Sequence, residues 1–109
     1  MSDLPSTSRQ LLSCVTSSGK LQLTIGETPV PAPGDAEVVV RIEASPINPS
    51  DLGLLLGMAD IPNAQTVGPN HVEADVPENI LPMLKARFDE AMPVGNEGAG
   101  VVIAAGSSP

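Results

Sequence analysis

Asn48 stands between two prolines in the stretch SPINPSDLGLLLG (45–57), with Ser50 and Asp51 just behind it. A side-chain amide can donate and accept hydrogen bonds without titrating, whereas the plainer role of an Asn before proline is to satisfy the backbone of its own turn. Ser50 and Asp51 can each cap the apolar run LGLLL, and Gly57 offers the left-handed exit that commonly ends a helix. His71, with Glu73 and Asp75 nearby in GPNHVEAD (68–75), has the residue types of a metal or acid/base site, but a single histidine in a turn-rich stretch reads more simply as an exposed loop residue. Cys14 is the only cysteine. It cannot form an internal disulfide, no Cys/His set accompanies it to hold a structural zinc, and its place in a β-rich run suits a small buried apolar residue. GNEGAG (95–100) has three glycines, but not in the order G-x-G-x-x-G, and it precedes a strand instead of joining strand to helix. Gly19-Lys20 lacks the preceding glycine of a P-loop. Asn96 and Glu97 are expected to stabilise the turn before the last strand, their glycine neighbours serving close backbone approach or positive φ.

The elements that must position these residues are mainly strands. RQLLSCVT (9–16) and KLQLTIGET (20–28) flank the turn signal SSG and predict a hairpin, in which Leu21, Leu23 and Ile25 alternate with polar residues. PVPAPGD (29–35) interrupts with three prolines. AEVVVRIEAS (36–45) is the clearest strand, and Pro46 stops it. A helix of about two turns follows Asn48. Residues 58–76 show neither period, and their Pro, Gly and Asn content predicts a long mobile excursion. PENILPMLKARFDEAM (77–92) carries Ile80, Leu81, Leu84 and Phe88 at helical spacing, which predicts a helix at about 77–91 with Asp75 as a possible cap and Pro82 tolerated near the first turn. A last strand is expected at 100–105. The helix near 80–88 is expected to pack on its own domain.

The 109 residues suit one domain with a modest core, built almost without aromatic side chains because Phe88 stands alone. Twelve prolines and ten glycines make the chain turn-rich without making it low-complexity. The net charge of −8 argues against binding nucleic acid or an anionic membrane surface. The start, MSDLPSTSRQ, lacks the basic and apolar regions of a signal peptide, and no apolar run approaches the roughly 18 residues of a membrane helix. A cytoplasmic location is the expectation.

Two longer words, PAPGDAEVVVRIEASPINPSDLGLLLG and PVGNEGAGVVIAAGSSP, come in an order that resembles the N-terminal, chaperonin-like (GroES-like) part of the medium-chain dehydrogenase/reductase superfamily, on its zinc-independent quinone oxidoreductase and 2-enoyl thioester reductase branch. With the N-terminal strands these words cover most of the chain outside about 58–92. The resemblance implies a mainly β, GroES-like partial barrel over residues 1–109, incomplete, with 58–92 as an insertion and the Rossmann cofactor domain absent. In zinc-containing relatives the positions of Asn48 and Asn96 carry a cysteine and a histidine ligand. Amides are poor zinc ligands, so no zinc is expected.

The resemblance further implies that Asn48 works at the nicotinamide or the substrate carbonyl, as catalytic and cofactor-binding residue. Ser50, at a hydroxyl position that relays protons in zinc relatives, joins it on the cofactor side. The implied function is the substrate-side portion of an NAD(P)H-dependent oxidoreductase, with NADPH or NADH bound mainly by a Rossmann half of the same enzyme, a small-molecule substrate and a homodimer as the intact assembly. The segment alone is expected to be inactive. The family's tyrosine after the NPSD helix has no counterpart, because the chain contains no tyrosine. A stand-alone β-barrel binding or assembly module without catalysis is the alternative.

Overall fold

The computed structural model describes residues 4–108. The protein is mainly β, and the described residues form two open sheets, one α-helix and two short 3-10 segments. The strands are β1 (Thr7–Val15), β2 (Lys20–Pro29), β3 (Val38–Ala44), β4 (Gln65–Gly68), β5 (His71–Asp75), β6 (Met92–Pro93) and β7 (Ala99–Ala105); the helix, α1, spans Pro49–Leu56. Among the described residues no helix is long and apolar enough to cross a membrane.

The chain divides into two compact units. One holds Gln10–Gly26 and Ile47–Gly95, and with them most of the five-stranded sheet ordered β4-β5-β2-β1-β6. The expected β1–β2 hairpin is present. Its turn is closed by Thr16 N–H donating to Lys20 O at 2.8 Å and Gly19 N–H donating to Thr16 O at 3.0 Å. Leu21 lies opposite Ala74 in the antiparallel β2–β5 pair, and Val15, Leu21, Ala74 and Val76 are the buried apolar residues. On the other face of that pair Gln22 Nε2 donates to Glu73 Oε2 at 3.0 Å, and Lys20 forms an ion pair with Asp75.

Residues 58–76 are thus not the excursion their composition predicts. Asp60 N–H donates to Asp75 O at 2.8 Å, Ile61–Asn63 makes a 3-10 turn, and β4 and β5 form a hairpin that adds to β2. The physical cause is the alternation Val72, Ala74, Val76, which presents one apolar face to the core behind the turn residues Pro69 and Asn70. His71 accordingly sits half-buried at the start of a strand and is not an exposed loop histidine.

The helix expected at about 77–91 is present in shorter form, as the 3-10 segment Leu81–Arg87. Pro82 removes a donor, and its ring would strike the carbonyl four residues back, so no α-helix can run from Pro77 through it. The spiral starts at Leu81, and no cap comes from Asp75. Its apolar positions still reach their target: Ile80, Leu81, Leu84 and Phe88 pack against the cluster of Val15, Leu21 and Val76.

The other unit contains Glu27–Pro46 and the chain from Asn96 onward, with β3 and β7 paired as an antiparallel ribbon. Gly100 is required there: a Cβ at that position would lie 1.9 Å from Arg41 O, so only a bare Cα lets the two strands approach. Val38, Ile42 and Val102 of this ribbon are each more than half exposed.

Candidate functional site

Asn48 has extended backbone, φ −93° and ψ 150°, and is itself the N-cap of α1. Pro49 follows as the first helical residue, where a missing N–H costs nothing and φ is already set. Asn48 and Asp51 form a capping box: the Asn48 side chain faces the Asp51 N–H, and Asn48 N–H donates back to Asp51 Oδ2 at 2.9 Å. The cap is therefore Asn48, and neither Ser50 nor Asp51 takes that place as the sequence suggested. Ser50 is an exposed residue of the first helical turn, and Asp51 supplies the return half of the box. Asn48 is half-buried.

At its other end α1 ends on Gly57 at φ 52°, in the left-handed region. A Cβ there would meet the Val15 and Leu84 side chains at 3.6 and 3.8 Å, so glycine serves both conformation and packing. Ser13, fully buried, shares its hydroxyl proton between Leu54 O and Leu55 O, each at 3.0 Å. Arg87 Nη1 donates to Leu54 O at 2.9 Å, and Arg87 Nη2 donates to Ser13 Oγ at 3.0 Å. Burial lowers the pKa of Arg87 from its ordinary value. Gly57 ends α1 as the sequence suggested, whereas the contacts of Ser13 and Arg87 had one local signal, a serine at a core-facing position of β1. Cys14, next in the chain, is half-buried, and burial followed by the nearby Asp89 carboxylate raises its thiol pKa, so it lacks the thiolate character of a reactive cysteine.

In the unit of β3 and β7, residues 44–46 and 96–99 line an open cleft of about 710 Å³. Ser45, Asn96 and Glu97 are its polar side chains, all exposed. The lining offers a hydroxyl, an amide and a carboxylate and no cationic side chain. Such a lining suits neutral hydrogen-bonding groups and disfavours phosphate. His71 Nε2 lies 3.2 Å from Glu73 Oε2, a pair that carries opposite charges only when the imidazole is protonated. Among the described residues no three His, Cys, Asp or Glu side chains gather to hold a metal ion.

Comparison of the sequence with protein-family models and with curated proteins returned no match.

Proposed function

We propose that this chain is the substrate-side portion of a zinc-independent NAD(P)H-dependent oxidoreductase that reduces a quinone or an enoyl group conjugated to a carbonyl. The observation that carries this reading is Asn48, a half-buried amide locked by a capping box at the entrance of the helix that follows β3. Together with Asn96 it puts an amide at each position where the zinc relatives have a ligand.

The described residues suit one end of the cofactor. An amide at Asn48 and a hydroxyl at Ser50 match a carboxamide or carbonyl, and the pyrophosphate is left to the Rossmann half. A bound nicotinamide supplies hydride. On an enoyl substrate the new C–H bond forms at the β-carbon, the C=C electron pair moves toward the carbonyl oxygen, and the Asn48 amide donates to that oxygen as it becomes negative. A proton from water then completes the α-carbon.

The test separates capping from chemistry. In the intact enzyme Asn48→Ala should lose about 1 kcal/mol of stability with its cap and roughly a hundredfold in turnover, whereas Asn48→Ser keeps a good cap and should lose turnover alone. Steady-state kinetics beside thermal melts read both quantities. Calorimetry on residues 1–109 alone should detect no NADPH binding. Normal turnover in Asn48→Ser would overturn the reading and leave Asn48 as a cap.

A second reading has its own observation. The exposed valines and isoleucine of β3 and β7 favour a binding or assembly module that covers them with a partner and performs no reaction. An intact protein that assembles but never oxidises NADPH in the presence of quinone or enoyl thioester would select it.

A further inference from the structure

The capping box fixes the first turn of α1, but α1 itself has no buried residue, so core packing alone does not set its direction. Its last turn also contains no basic side chain to complement the partial negative charge of the terminal carbonyls. The complementary positive charge comes from elsewhere in the chain, from Arg87. Arg87 and Ser13, 74 residues apart, both bond the Leu54 carbonyl and bond each other, and Ser13 also bonds the Leu55 carbonyl. The network is partly closed from solvent, where hydrogen bonds from a charged donor are stronger than neutral ones.

We infer that Arg87 and Ser13 form a clip that holds the C-terminal turn of α1 and thereby sets the orientation of the Asn48 amide at its N-terminus; they are positioning residues. The catalytic meaning of that orientation rests on the function proposed above, while the clip itself does not. The 58–92 segment thereby gains a purpose, because its 3-10 spiral packs on the core through Leu81, Leu84 and Phe88 and delivers Arg87 to the helix end. Arginine suits the place because its planar fork reaches Leu54 O with one nitrogen and Ser13 Oγ with the other, which a lysine ammonium cannot do in one geometry.

The experiment uses the full chain, with amide exchange and the Asn48 side-chain amide resonances read by NMR. In Arg87→Ala the Gly57 and Asp51 amides should exchange about tenfold faster and the Asn48 resonances should shift, while the Leu21 and Ala74 amides stay within about twofold. Low millimolar guanidinium should partly restore the resonances. Arg87→Lys should fall between Arg87→Ala and the parent chain, and Ser13→Ala should shift the same resonances in the same direction. Unchanged α1 exchange in Arg87→Ala and Ser13→Ala would overturn the clip. Equal loosening of α1 and the core, without rescue by guanidinium, would make Arg87 a general stabiliser and overturn it as well; if Arg87→Ala does not fold, the Arg87→Lys and Ser13→Ala spectra decide in its place. In the intact enzyme Arg87→Lys should lower kcat with KM nearly unchanged. An intact parent enzyme with no turnover, beside the expected resonance shifts, would sink the proposed function and leave the clip standing.

Discussion

Lys20 shows how little a single exposed contact needs in order to be measurable. Its ammonium pairs with Asp75 across the β2–β5 ladder, and the hydrogen bond to Asp75, then the charge of Asp75, raise its pKa above the ordinary value. A raised folded-state pKa means that, while the Asp75 carboxylate is ionised, the pair stabilises the fold below the unfolded lysine's value, about 10.4, and that this contribution fades as pH climbs through the higher folded value. Thermal melts of Lys20→Met and the parent chain should therefore differ at pH 7–9 and converge as pH climbs beyond the raised value of the folded lysine. A difference that persists unchanged at high pH would mean that Lys20 acts through its methylenes and not its charge. The capping of α1 was legible at this same scale. Asn-Pro-Ser-Asp contains Asn and Asp three apart with a proline between them, the pattern of a capping box with proline at the first helical position, but Ser50 and Asp51 drew attention because they adjoin the apolar run.

Among the elements, β5 is where composition and pattern compete most plainly. Pro69 and Asn70 mark a turn, and a single turn does not make its surroundings a loop; the three small apolar residues 72, 74 and 76 behind it keep strict alternation, enough for a strand in a sheet that already offers β2 as a partner. Amides of 72–74 should therefore exchange roughly tenfold or more slowly than those of 38–42, because β5 lies between two strands over the core while β3 pairs with a single neighbour. Hydrogen exchange by mass spectrometry decides it, and faster exchange in β5 would return the segment to a mobile excursion. The strands β1, β2, β3 and β7 could be read from alternation and turn residues alone. The segment near 81–87 could not, since its apolar spacing fits an α-helix and a 3-10 spiral nearly alike over two turns, and Pro82 is what separates them. The Ser13–Arg87 clip joins residues 74 apart, and no local pattern announces such a pair.

At the scale of the whole molecule, every buried residue among those described lies in one unit: Ser13, Val15, Leu21, Gly57, Ala74 and Val76. With so few residues in the core, each one matters. Leu21→Ala should cost about 3 kcal/mol, within the range for leucine truncation in a core, as read by urea unfolding followed through far-ultraviolet circular dichroism. A loss below about 1 kcal/mol would mean that the β2–β5 core collapses around the gap. The distribution of burial also bears on cooperativity. All-or-none unfolding requires that opening one part removes the support of the rest, and within this unit that support comes down to six side chains or backbones. A free energy obtained from a core substitution therefore reports on the cooperative melting of the unit of Leu21.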